Sequence, residues 1–206
     1  MGLPMSINLQ KAGFKVTGFE INPERKAFAR ESGITTAESI REAVTGADWV
    51  MTSLPKTEHV EKVLHMKDGI FESAKPGAYI LDSSTISPVA IIEFNQEAKA
   101  RSCVFLDSPC SGATKGAQAG TLTFMVGGEQ TEFETAKHFL KGMGTTFIHC
   151  GQVGCGSMTK LVNNYQFATS MVALAEGLSL AEKLGLDPKV VFDVVSQCEG
   201  NSFSVD

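Results

Sequence analysis

Two apolar periods alternate along this chain. Met5, Leu9 and Ala12 fall on one face of a helix that Gly13 stops. A short apolar segment at 16–19 reads as a strand. Asn22-Pro23 then opens a second helix, with Pro23 suited to the first turn. Residues 49–54 (WVMTSL) read as a strand, 58–65 as a helix and 78–81 as a strand. Ser87-Pro88 opens a helix to about Arg101. Strands follow at 104–106, 122–126 and 146–149, with a helix near 131–140 between the last two. Continuous apolar strands alternating with helices predict a mainly parallel sheet covered on both faces.

From about Ser157 the pattern changes. Residues 159–183 form a long helical run that is apolar on most sides. Such a helix must be buried, between two domains or between two subunits. Gly185 ends it, and Asp187-Pro188 caps a further helix at 189–197. The pattern therefore predicts a doubly wound α/β domain over 1–153 and the beginning of an all-helical domain over 154–206. An open sheet of this kind normally starts with a central strand feeding a glycine loop. Here a helix comes first, so the sheet is expected to lack its first strand.

Composition narrows the classes without naming one. The 206 residues are enough for one well-buried domain and part of another. A net charge of -5 gives no electrostatic reason to expect nucleic acid. No apolar run is long enough to cross a bilayer, so no membrane is expected. Five cysteines, at 103, 110, 150, 155 and 198, form no C-x-x-C pair, which favours reduced intracellular thiols over a disulfide framework or a zinc site. The four histidines make no metal-ligand pattern. The opening MGLPMSINLQKAGF reads as neither a secretory signal nor an Arg-rich transit peptide.

Four constellations carry candidate chemistry. Gly2 at a helix start and Glu20 at the end of the next strand have the spacing of a glycine that admits a dinucleotide pyrophosphate and an acid that holds the adenosine ribose. From these two residues alone, a start methionine before a small residue and a solvated glutamate is the stronger reading. Leu54-Pro55 and the run from Asp82 to Thr85 lie beyond the carboxyl ends of strands, where open α/β sheets bind ligands. Helix capping by Asp82 or Ser87 explains part of that second segment equally well. In the run from Asp107 to Ala113, Pro109 and Gly112 force a turn whose backbone N–H groups, with the Ser111 hydroxyl, suit an anion. An ordinary strand-to-helix turn looks similar. Cys110 beside it reads as a packed cysteine rather than a reactive thiol. Finally, Gly151-x-x-Gly154-x-Gly156-x-x-x-Lys160-x-x-Asn163-Asn164 puts Lys160 and Asn164 on one face near a helix start. Polar groups in so apolar a helix are costly without partners. A surface lysine and a capping asparagine are the plain alternative.

The stretches MGLPM, SLP, LDSSTISP, LDSPCSGATKGAQAGTLTFMVGG and GQVGCGSMTKLVNN together resemble the β-hydroxyacid dehydrogenases, and within them the 3-hydroxyisobutyrate dehydrogenases. The resemblance runs over nearly the whole chain. It implies a Rossmann-like NAD-binding domain and NAD-dependent oxidation of 3-hydroxyisobutyrate to methylmalonate semialdehyde. It implies that Lys160 is the catalytic base, that Ser111 and Gly112 hold the substrate carboxylate, and that Asn164 holds the substrate. It implies that Gly2, Glu20, Leu54, Pro55 and Thr85 contact the cofactor, with Glu20 favouring NAD over NADP. His59 stands where the family usually has a cofactor-contacting asparagine, and Ala113 where it usually has a second glycine. A mitochondrial location, or else a cytoplasmic one, and a homo-oligomer when full length are further implications. The family's first strand, two loop glycines and most of its helical domain are not in this sequence, so an inactive chain is one expectation. A sibling enzyme for tartronate semialdehyde or another short β-hydroxyacid, and a non-catalytic truncated subunit, are the alternatives.

Overall fold

The computed structural model describes residues 1–202. Two compact units divide the chain, Met1–Lys160 and the residues from Leu161 onward. In the first unit α1 (Gly2–Lys11) leads to β1 (Thr17–Gly18), α2 (Pro23–Glu31), β2 (Thr35–Thr36) and α3 (Ile40–Val44). Next come β3 (Trp49–Thr52), α4 (Thr57–His65), α5 (Ile70–Ser73), β4 (Tyr79–Asp82) and α6 (Pro88–Ala100). They are followed by β5 (Val104–Asp107), β6 (Cys110–Ser111), α7 (Ala113–Ala119), β7 (Leu122–Gly127), α8 (Gln130–Leu140) and β8 (Gly144–Gly151). The long helix α9 (Cys155–Lys183) begins in the first unit and continues into the second, which also holds α10 (Pro188–Val195).

Local chemistry sets most of these limits. Asn22 caps α2 by accepting the Arg25 N–H, with Pro23 at the first position. Asp187 does the same for α10 through the Lys189 N–H. Gly13 and Gly185, at φ 93° and 74°, take left-handed turns after α1 and α9.

Strands β3, β4 and β5 are parallel, with Thr52, Asp82 and Asp107 aligned at their carboxyl ends. The sheet is mainly parallel, as expected, but mixed, because β7 runs antiparallel to β5 over a single residue pair. Strand β6 continues along the same edge of β7, and β8 lies parallel on its other side. β1 and β2 pair only with each other, so β3 is the outer strand of the six-stranded sheet. That separation agrees with a doubly wound sheet lacking a strand between β1 and β3.

Period-two alternation feeds two cores. Val50, Ile80 and Phe105 join α3, α4, α5 and α6 side chains in one cluster. Leu81, Leu106, Phe124 and Val126 join Met5 and Leu9 of α1 and Phe133 and Phe139 of α8 in the other. Helices therefore cover both faces, as the continuous apolar strands required.

The apolar helix α9 leaves part of its surface uncovered in the single chain. Val162, Tyr165 and Val172 are 68%, 71% and 57% exposed. Burial needs a covering surface, and the described residues of the single chain do not supply one.

Candidate active site

Beyond the carboxyl ends of β3, β4 and β5 the chain turns polar while remaining buried. Thr52, Asp82, Ser83, Ser84, Asp107 and Ser108 are all buried there. Ladder pairing extends one residue past the strands, as Ser83 N–H donates to Thr52 O (2.9 Å) and Ser108 N–H to Asp82 O (2.7 Å). The Thr52 and Ser84 hydroxyls each donate to Asp82 Oδ1 at 2.6 Å. Ser84 Oγ in turn accepts the Leu54 N–H at 2.9 Å. This relay pins the turn that carries Leu54 and Pro55 against the turn that carries Thr85. Thr85 and Pro55 are exposed, and so open to a ligand. Asp82 caps no helix, contrary to one of the sequence alternatives. Ser87 stands at the cap of α6 with no side-chain capping bond.

Burial pushes the Asp82 carboxyl above the ordinary carboxylate range, against the pull of its hydroxyl donors. Its Oδ2 is buried without a hydrogen-bond partner. Asp107 is also pushed up by burial, opposed by two backbone donors. These are Gly154 N–H to Oδ1 (2.8 Å) and Ser157 N–H to Oδ2 (2.6 Å), both from the segment that starts α9.

One turn further on, Lys160 is only 9% exposed. Its amine is held below the usual lysine range by desolvation, while the Cys110 thiol pulls the other way. The Cys110 thiol is itself raised by burial and lowered by Lys160. Lys160 is therefore within electrostatic reach of Cys110 on β6, the element that carries Ser111 and leads into Gly112. Gly112 sits at the start of α7 with φ 124°, a conformation that β-carbons rarely tolerate. Leu54, Pro55, Thr85, Ser111, Gly112 and Lys160 therefore all lie at or beyond the carboxyl edge of one sheet. Asn164 follows Lys160 by four residues on α9, is exposed, and belongs to the second unit.

The other predicted contacts lie at α1 and β1. A β-carbon on Gly2 would meet nothing within 4 Å. No side chain caps α1, and no acid stands in its first turn. Pro4 has no N–H and Met5 N–H donates to Met1 O (3.3 Å), so the Gly2 and Leu3 N–H groups are the donors that could meet a phosphate. Glu20, just past β1, accepts the Asn22 N–H on one oxygen at 2.9 Å, which leaves the other to meet a ribose diol. These residues fit a dinucleotide. His59 is exposed on α4. Sequence reasoning missed the roles of Asp82 and Asp107, and the electrostatic coupling of Cys110 and Lys160. The only advance signal was the polarity of three consecutive strand ends.

Residues 1–156 match the family described as the NAD binding domain of 6-phosphogluconate dehydrogenase. Residues 154–206 match the NAD-binding domain of NADP-dependent 3-hydroxyisobutyrate dehydrogenase. Fold and family match together place the chain among the NAD-binding families of oxidoreductases. Among its relatives, a probable mitochondrial 3-hydroxyisobutyrate dehydrogenase of Dictyostelium discoideum is 42% identical over 92% of this chain. An NAD-dependent L-serine dehydrogenase of Pseudomonas aeruginosa is 36% identical over the whole chain. The solved 3-hydroxyisobutyrate dehydrogenase of Mycobacterium tuberculosis with L-serine superimposes at a TM-score of 0.91, with 40% identity over the whole chain and 69% of that structure. The chain belongs to the 3-hydroxyisobutyrate dehydrogenase family. It spans 59% of the Dictyostelium relative and 69% of the Pseudomonas one.

Proposed function

We propose that this chain carries the base and the carboxylate-binding loop for NAD-dependent oxidation of a short β-hydroxyacid, with 3-hydroxyisobutyrate going to methylmalonate semialdehyde. The observation that carries this reading is Lys160. It is a buried lysine whose amine desolvation holds below the usual lysine range, within electrostatic reach of Cys110. Ser111 Oγ and the Gly112 backbone N–H bind the substrate carboxylate, and that contact fixes the β-carbon. The substrate hydroxyl gives its proton to Lys160 Nζ, which burial keeps ready to accept it. The Asn164 amide orients the hydroxyl. Thr85, with Leu54 and Pro55, holds the nicotinamide riboside half. The N–H groups of α1 at Gly2 take the pyrophosphate, and Glu20 takes the adenosine ribose diol while opposing a 2′-phosphate. NAD, when bound, supplies the acceptor for the hydride that leaves the β-carbon.

L-serine is the second substrate reading, since it carries the same β-hydroxyl and carboxylate and appears in the names of two relatives. A mitochondrial location belongs to the same proposal and rests on the names of the Dictyostelium and mouse relatives. So does a homo-oligomer, which would cover the exposed apolar side chains of α9. No helix among the described residues is long and apolar enough to cross a membrane.

The test is NAD binding by calorimetry, followed by NADH formation from 3-hydroxyisobutyrate and from L-serine. Both are run on this chain and on a chimera in which the rest of the mycobacterial relative completes it. Turnover in either, lost in Lys160→Ala with NAD binding retained, is the expected result. Turnover that survives Lys160→Ala removes the lysine from its role. Two folded proteins that bind no NAD overturn the reading as a whole.

A further inference from the structure

The motif Gly151-x-x-Gly154-x-Gly156 has no part in binding substrate or cofactor as described so far, and neither has the fully buried Asp107. The two belong together. Asp107 ends β5 with no exposed surface, and each of its carboxylate oxygens receives one backbone N–H from the entry to α9. Those N–H groups lie at the start of a helix, where no intrahelical acceptor exists. Helix entry and strand end approach closely enough to exclude side chains. A β-carbon on Gly156 would stand 2.5 Å from Met125 O, 2.9 Å from Gly127 N and 3.0 Å from Asp107 O. One on Gly127 would collide with the Asp107 carboxylate. Gly154 has φ 95° and presses on Ile92, with its β-carbon position 3.1 Å from the Ile92 side chain.

We infer that Asp107 is a positioning residue for Lys160: its carboxylate clamps the first turn of α9 onto the ends of β5 and β7, and so fixes where the lysine side chain emerges. Ser157 is three residues before Lys160, on the same side of the helix. A bond at Ser157 N therefore sets both the roll and the height of the turn that carries Lys160. The glycines are small because the clamp needs backbone against backbone. The inference rests on the reading of Lys160 as the base only for its effect on turnover. The clamp itself is a statement about where Lys160 sits.

The sign of the expected change separates clamping from a simple charge effect. Desolvation is the leading cause of the low Lys160 pKa, and Cys110 is the titratable group within electrostatic reach of it. Removing a nearby carboxylate charge would lower the pKa of an ammonium group further. Loosening the turn admits water and raises it. The measurement is the titration of ¹³C-dimethylated Lys160 by NMR, assigned with Lys160→Ala, in this chain without cofactor. Asp107→Asn keeps the volume and one acceptor oxygen. Ser157→Pro deletes the donor N–H together with the buried Ser157 hydroxyl, at a first-turn position where proline is tolerated. In both variants Lys160 is expected to titrate higher than in the parent. Asp82→Asn, an equally buried carboxyl with no bond to α9, leaves the Lys160 titration where it was. Where turnover is measurable, Asp107→Asn lowers kcat about 100-fold, as a 1 Å misplacement does, with KM for NAD unchanged. A Lys160 titration in Asp107→Asn and Ser157→Pro that matches the parent or falls below it overturns the inference. If Asp107→Asn fails to fold, Ser157→Pro alone decides. Survival of activity in Lys160→Ala would end the catalytic reading of the lysine and leave the titration result standing.

Discussion

Replacing Gly156 with alanine adds one methyl group at the tightest backbone contact of the helix entry. That carbon would lie 2.5 Å from Met125 O, 2.9 Å from Gly127 N and 3.0 Å from Asp107 O. All three atoms are backbone, on β7 and β5, so no rotamer change relieves the clash. Ordinary contact at ~3.5 Å requires the turn to retreat by about 1 Å. Overpacking of this kind costs about 1–3 kcal/mol. A retreat of that size also carries the Gly154 and Ser157 donors beyond hydrogen-bond reach of a buried carboxyl, at about 1.5–3 kcal/mol for a bond to a charged group. Because the terms overlap, a loss of about 3 kcal/mol is expected, roughly 100-fold in the folded-to-unfolded ratio. For a domain of this size the melting temperature then falls by about 6–12 °C. Gly177 is the internal control. It lies in the same helix, and a β-carbon there meets nothing within 4 Å. Gly177→Ala is expected to raise stability by ~0.5–1 kcal/mol through helix propensity alone. Circular dichroism melts of parent and both variants read the contrast. A Gly156→Ala protein that melts within about 2 °C of the parent would refute the claim that strand ends and helix entry are packed backbone to backbone.

Three further outcomes follow from the same site. Lys160 has a folded pKa below its unfolded one, so its burial penalises the native state at pH values below the folded pKa, and the penalty fades as pH rises toward the ordinary lysine range. Lys160→Met is therefore expected to abolish turnover and raise the denaturation midpoint at neutral pH, and a lower midpoint counts against it. Asp82 is shifted the other way, so its contribution is fully present below the ordinary carboxylate pKa and is lost as pH rises through its raised folded value. Against Asp82→Asn, the parent should lose relative stability on going from acid to neutral pH in urea titrations, and a pH-independent gap contradicts this. Glu20→Ser removes the charge that opposes a 2′-phosphate, and NADP affinity relative to NAD should rise by roughly fivefold or more, the ~1 kcal/mol of a solvated charge pair. An unchanged ratio by calorimetry removes Glu20 from cofactor choice.

Much of this protein was written in local pattern. Helix starts at Asn22-Pro23 and Asp187-Pro188 were legible because a cap and a fixed proline φ act within one turn. The strands were legible because burial on both faces demands continuous apolar runs. The motif resemblance placed Ser111, Gly112 and Lys160 in order before any geometry was available. Other features depend on partners far away in the chain. The short strand β6 exists only because Phe124 and Thr123 of β7 pair with Cys110 and Ser111. Its neighbour β7 turns antiparallel to β5, which no periodicity records. Asp82 and Asp107 looked like ordinary strand-end acids, since nothing in a carboxylate's immediate sequence tells whether it will be buried. Tertiary structure alone aligned them with Thr52 and brought the glycine-rich entry of α9 onto Asp107, because burial and hydrogen bonding between residues far apart in the chain are settled by packing rather than by local propensity.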